Sequence, residues 1–123
     1  MLPDTIKERI REAYQTLVEQ RELKPRWGQR QMIAEVANAL GDPDLPQSIA
    51  VVEAGTGTGK TIAYTIAALP VASARDKTLV IATATVALQE QLIYRDLPDI
   101  LKHSGLEFQV SLAKGRGRYV WLQ

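Results

Sequence analysis

Ile49-Ala50-Val51-Val52-Glu53-Ala54-Gly55-Thr56-Gly57-Thr58-Gly59-Lys60-Thr61 is an apolar stretch that stops on a glycine-rich run and resumes as a new apolar segment. Strand, then loop, then helix is the context that a phosphate-binding loop requires. The glycines let the backbone curl until successive N–H groups converge into a nest for a β-phosphate at the positive end of the following helix. In this reading Lys60 reaches the β- and γ-phosphates and the Thr61 hydroxyl ligates Mg2+. The plainer reading, a glycine-rich turn that holds no ligand, is weakened by the strand in front and the Lys-Thr pair behind.

Downstream of the loop the pattern predicts a helix from Lys60 to about Leu69, halted by Pro70. Ser48 to Glu53 in front of it reads as a buried strand. Thr78-Leu79-Val80-Ile81-Ala82 predicts a second strand, Thr83-Ala84-Thr85 a short turn and Val86 to Tyr94 a helix. A further helical piece from Leu97 to His103 ends at Gly105, and Phe108 to Leu112 reads as a third strand. Strand-helix-strand-helix-strand with short connections implies right-handed crossovers and a parallel sheet. Ligands of such sheets sit at the carboxyl ends of the strands, where this reading puts the loop and the Thr83–Thr85 turn.

Upstream of the loop, the segment from Asp4, a good N-cap, to about Glu22 places Ile6, Ile10, Ala13, Leu17 and Val18 on one face of an amphipathic helix. Lys24-Pro25-Arg26-Trp27-Gly28 breaks that pattern. Gln29 to Leu40 then predicts a second helix with Met32, Ile33, Val36, Ala37 and Leu40 inward and Gly41 as its stop. Asp42 to Pro46 reads as a surface loop. The expected fold is α/β, a parallel sheet preceded by two N-terminal helices.

With 123 residues and 46% hydrophobic content the chain can bury a core, at the small end for a single α/β domain. A formal net charge of +1 gives no bulk attraction to nucleic acid, so any basic surface has to be local. Cysteine is absent, which excludes disulfides and thiolate-held metals or clusters from these residues. No apolar run approaches the roughly 18 residues of a membrane span, and the first residues lack the n- and h-regions of a signal peptide. The expectation is a cytoplasmic protein without membrane contact.

Three further stretches carry chemistry. In Pro25 to Gln31 a glutamine or arginine is placed to hydrogen-bond an adenine edge or close over a nucleotide, although the segment alone reads better as solvated polar residues at a helix start. Thr83 and Thr85 offer hydroxyls and N–H groups to a nucleic-acid phosphate, and ordinary N-capping is equally good physics. Lys114-Gly115-Arg116-Gly117-Arg118-Tyr119 sets three cations and an aromatic ring on an open backbone, where Arg116 and Arg118 grip phosphates and Tyr119 stacks on a base. The alternative there is a solvated basic loop. Gln89 and Gln91 read as surface residues, and His103 as a helix-terminal cation.

The order P-R-x-x-Q-R-Q-M-I, E-A-G-T-G-T-G-K-T, A-T-A-T-V-A-L-Q-E-Q-L, R-D-L-P and K-G-R-G-R-Y-V resembles the start of the DinG-type helicases, bacterial relatives of the XPD-like iron-sulfur DNA helicases of superfamily 2. Ala54, where the usual loop has glycine, matches the A-x-x-x-x-G-K-T form typical of superfamily helicases. The resemblance runs from Pro25 onward and implies a P-loop NTPase fold of RecA-like topology, here incomplete. It implies that Arg26 and Gln29 belong to a nucleotide-adjacent Q-like motif, Ala54, Gly55, Thr56, Gly57, Thr58, Gly59, Lys60 and Thr61 to motif I, and Thr83 to Gln91 to motif Ia, facing single-stranded DNA. Residues 1–24 then form an N-terminal helix, and 25–123 the first part of motor domain 1, cut before motif II.

ATP, Mg2+ and single-stranded or forked DNA are the ligands the resemblance implies, and DNA repair the setting. The family also carries an iron-sulfur cluster whose first cysteine follows the block's tyrosine by two residues. Trp121 stands there instead, so the cluster is unsupported in this chain. No D-E-A-H-type motif II is present, so the expectation for the isolated chain is nucleotide binding without turnover, with an open sheet edge that favours self-association. Two rival readings are a P-loop kinase or GTPase, against which Ala54 and the motif Ia-like block argue, and a non-catalytic module that binds nucleotide or DNA.

Overall fold

A computed structural model describes residues 2–22, 24, 26–44, 49–53 and 59–113. Five α-helices make up its regular structure: α1 (Asp4–Gln20), α2 (Trp27–Gly41), α3 (Lys60–Ala74), α4 (Val86–Gln91) and α5 (Leu97–His103), with a π-helical turn, Leu92–Asp96, between the last two. The core is where α1, α2, α3 and α5 meet.

In α1 the apolar positions recur at three- and four-residue spacing, and Ile6, Ile10, Ala13, Tyr14 and Leu17 are all buried. The Pro3 carbonyl takes the N–H groups of Ile6 and Lys7, so Pro3 is the cap and Asp4 the first helical residue, set against the helix dipole. Glu22 ends the helix with a left-handed φ of 53°.

Along α2 a single four-residue ridge is buried, Gln29, Ile33, Ala37 and Gly41. Met32 and Val36 pack at its margin, whereas Leu40 is largely exposed. Gly41 closes α2 as expected and is also a packing residue. It is helical, and a Cβ there would strike the Leu2 side chain and crowd Val71.

Helix α3 passes through Pro70, contrary to the expected halt. A proline inside a helix loses one backbone hydrogen bond and crowds the carbonyl four residues back, a cost of about 3 kcal/mol. Here Pro70 and Val71 are buried, with Val71 in the common core, and this packing offsets the cost. The real stop lies at Asp76, at φ 53°, where Asp76 N–H bonds the Ser73 carbonyl and Lys77 N–H the Ala72 carbonyl at 3.2 and 2.9 Å. Those two bonds form a Schellman motif with aspartate in the place usually held by glycine.

The helical pieces expected at 86–94 and 97–103 are one continuous run with a π turn inside it. Pro98 has no N–H to offer and its ring crowds the preceding turn, and the backbone responds by widening. The Leu97 N–H accordingly reaches the Leu92 carbonyl, five residues back. Gly105, at φ 79°, ends the run as expected, and Ser104 Oγ donates to the Ile100 carbonyl at 2.6 Å.

The three expected strands differ most. Among the described residues there is no β-ladder, and 49–53, 78–82 and 106–113 are chain without regular structure. Ile49 is 88% exposed and Val51 92%, positions that a buried parallel strand covers on both faces. The described helices pack on each other through their own apolar stripes, which leaves no second layer over 49–53. In 79–81 the alternation survives locally, with Leu79 and Ile81 half-buried and Val80 82% exposed. A cavity of about 780 Å³ lies between α3 and the segments 78–82 and 106–113, lined by Thr65, Leu69, Leu79, Ile81, Phe108 and Val110. Among the described residues, the hydroxyl of buried Thr65 has no hydrogen-bond partner.

Candidate nucleotide site

Helix α3 opens on Gly59-Lys60-Thr61. Gly59 is its cap and takes a left-handed φ of 72°, a conformation that costs a residue with a Cβ but not glycine. The first intrahelical bond runs from Ala63 N–H to the Gly59 carbonyl at 3.1 Å, so the amides of Lys60, Thr61 and Ile62 have no acceptor within the helix. They mark the positive end of the helix, suited to an anion. Lys60 is exposed and Thr61 half-buried, which leaves the ammonium in reach of a ligand.

Gln29 from α2 closes the other side of Gly59. Its Nε2 donates to the Gly59 carbonyl at 3.4 Å, and a Cβ on residue 59 would run into that amide nitrogen. Glycine at 59 therefore meets two demands together, the left-handed turn and the approach of Gln29. Oε1 of Gln29 accepts from the Tyr14 hydroxyl at 2.8 Å, and that hydroxyl accepts a longer bond from Arg26 N–H at 3.4 Å. The arrangement thus joins two residues singled out in the sequence, Gln29 and Gly59, and adds Tyr14. Tyr14 is not among the inward residues that the sequence reading names, and its place one turn after Ile10 is the signal that could have found it. The Arg26 side chain is exposed.

Thr85 caps α4, accepting from Leu88 N–H at 3.2 Å, and the Thr83 hydroxyl donates to the Thr85 carbonyl at 3.3 Å. The capping role is thereby realised. Gln89 is no plain surface residue, since its Nε2 reaches the Ala113 carbonyl at 3.5 Å and ties α4 to the chain leading into residue 114. Ala54, Gly55, Thr56, Gly57 and Thr58 of the loop, and Arg116, Arg118, Tyr119 and Trp121 near the end, lie outside the described residues.

The observed half of the site fits a nucleotide phosphate with Mg2+, because the left-handed glycine cap and the helical amides without an intrahelical acceptor sit beside Lys60 and Thr61. An iron-sulfur cluster is not matched in this way. The chain has no cysteine, and among the described residues no group of three or more His, Asp or Glu is placed to hold a metal.

A helix opened by Gly59-Lys60-Thr61 under a left-handed glycine cap is the helix of a P-loop NTPase. Residues 26–120 match the family model for DEAD/DEAH box helicases, and the chain belongs to that family. It is similar to the ATP-dependent DNA helicase DinG of Photobacterium profundum, 45% identical over 121 residues, which is 97% of this chain and 18% of that protein. With DinG of Escherichia coli (strain K12) the identity is 43% over 120 residues, 97% of this chain and 16% of the relative. DinG of Salmonella typhimurium is 46% identical over 96 residues, 78% of this chain and 13% of the relative. The chain therefore spans less than a fifth of the length of these curated relatives.

Proposed function

We propose that this chain is the N-terminal part of the first motor domain of an ATP-dependent DNA helicase of the DinG type. The observation that carries the reading is the likeness to DinG proteins over 97% of the chain, which extends well beyond the phosphate loop. Residues 1–24 form the lead helix and 25–123 the motor portion. In the complete protein, 48–53, 78–82 and 108–112 are the central strands of a parallel sheet of RecA-like topology. Their β-branched and apolar sequences support that placement, and so does the open space beside α3.

ATP is the nucleotide in this reading. The amides of Ala54, Gly55, Thr56, Gly57, Thr58 and Gly59 surround its phosphates, Lys60 offsets the γ-phosphate charge, and the Thr61 hydroxyl ligates Mg2+. When bound, the metal ion neutralises charge on the β- and γ-oxygens. Arg26 and Gln29 lie beside the nucleotide. Single-stranded or forked DNA meets the Thr83–Thr85 turn and the cations Arg116 and Arg118, with Tyr119 as a stacking platform. The work is done in the cytoplasm. Hydrolysis also needs a carboxylate to hold the metal and a group to position water, and no D-E-A-H sequence occurs in these residues. The 123-residue chain by itself therefore binds nucleotide without turning it over.

Lys60→Ala is the test. In the complete helicase it removes ATPase and unwinding activity, with a drop of several orders of magnitude, since the cation acts on charge that grows in the transition state. Wild-type turnover in that variant overturns the assignment.

A further inference from the structure

The Tyr14 hydroxyl lies on the buried face of α1, 15 residues from Gln29 in sequence and 2.8 Å from its Oε1. A backbone carbonyl only accepts hydrogen bonds, so the amide nitrogen of Gln29 has to face Gly59, which leaves the amide oxygen towards Tyr14. The hydroxyl is the donor that satisfies that oxygen. Both polar ends of Gln29, itself buried, are then engaged inside the protein, one on α1 and the other on the exit of the phosphate loop. The Gly59 carbonyl meanwhile also receives Ala63 N–H, so one oxygen joins α2 to the first turn of α3.

We propose that Tyr14 is a positioning residue for triphosphate binding, which through Gln29 fixes the Gly59 carbonyl and hence the exit of the phosphate loop. The pair acts on the loop and not on the base. This rests on the nucleotide-binding reading above. Without the hydroxyl, the Gln29 oxygen is buried with no donor and the amide turns away from Gly59. The fraction of chains with a loop shaped for phosphates then falls, and apparent affinity falls by the same factor whatever base the ligand carries.

Titration calorimetry on the 123-residue chain, with Mg2+ and ATP, GTP or inorganic tripolyphosphate, tests this. Tyr14→Phe keeps the ring in the core and is expected to weaken all three ligands equally, about five- to tenfold. Gln29→Ala does the same. The double variant loses no more than Gln29→Ala alone, because Tyr14 works through Gln29, whereas a merely structural role for Tyr14 makes the two losses add. Lys60→Ala in parallel reports on the underlying reading. If the wild-type chain binds no triphosphate, or Lys60→Ala binds as wild type, that reading fails and takes this inference with it. If Lys60→Ala loses binding while Tyr14→Phe retains it, or if the loss is confined to ATP, or if the losses add, the inference alone fails. Melting followed by circular dichroism without nucleotide confirms that each variant is folded at the temperature of titration.

Discussion

Gly59 is held by two constraints of different origin, its left-handed φ of 72° and the Gln29 amide that occupies the space a Cβ would need. Left-handed geometry alone costs a residue with a Cβ about 1–2 kcal/mol. Gly59→Ala adds the displacement of Gln29, which breaks its bond to the Gly59 carbonyl and disturbs the one to Tyr14. The expected result is a thermal transition several degrees below wild type together with weaker triphosphate binding. An unchanged melting curve means that residue 59 does not adopt this cap. Gly41 fails for another reason. Its backbone is ordinary helix at the last position of α2, so the close approach of Leu2 and Val71, and not a left-handed cap, demands the missing side chain.

Helix 86–103 is interrupted by its π turn at a titratable residue. Asp96 is half-buried there, and that burial pushes its carboxyl above the ordinary 3.8, an effect partly offset by Arg95, a hydrogen bond from Gln91 and Arg21. A raised carboxylate value means that the folded state holds the proton more tightly than the unfolded chain. Stability at this residue is therefore greatest below 3.8 and declines as pH rises through the higher folded value. Asp96→Asn is expected to stabilise the chain at neutral pH and to lose that advantage below 3.8, by under about 1 kcal/mol because solvent screens the group. Melting curves across pH check this, and a gain that grows on acidification contradicts it. The same element illustrates what periodicity reveals. The apolar stripe marked the buried face of α1, and in α2 it marked Ile33 and Ala37, since a local repeat decides which face is buried, whereas Leu40 proves exposed and Gln29 and Gly41 complete the ridge. The halt expected at Pro70 fails because the proline's cost is local while the burial that absorbs it depends on neighbours distant in sequence, and the π widening before Pro98 joins two helical pieces that the sequence pattern keeps apart. Gly59 and Lys60 were singled out by the glycine-rich run and Gln29 by the family resemblance, but Tyr14 was not, because its contact comes from α1 meeting α2 at one hydroxyl.

At the level of the whole molecule, packing is uneven. Core side chains from α1, α2, α3 and α5 interlock around Leu17, Ile66 and Ile100, and Arg21 at the end of α1 pairs with Asp99 of α5, which His103 also approaches at 3.5 Å. Segments 49–53 and 78–82, by contrast, present Val51 and Val80 to solvent at 92% and 82% exposure. Their sequences favour strands, yet strand pairing is a non-local choice, and apolar runs do not state what will cover them. Unpaired backbone and apolar side chains in the same segments form a surface that another copy can cover. The 123-residue chain is accordingly expected to associate at tens of micromolar, the range in which exposed apolar edges aggregate. Val51→Lys with Val80→Lys places two charges on that surface without touching the core, so association weakens while stability shifts by no more than about 0.5 kcal/mol per substitution. Sedimentation velocity over a concentration series, paired with melting curves, measures both quantities. A wild-type chain that stays monomeric removes the basis of the prediction. Collapse of the double variant shows instead that these valines are buried in a sheet in solution, since only a covered position penalises lysine so heavily.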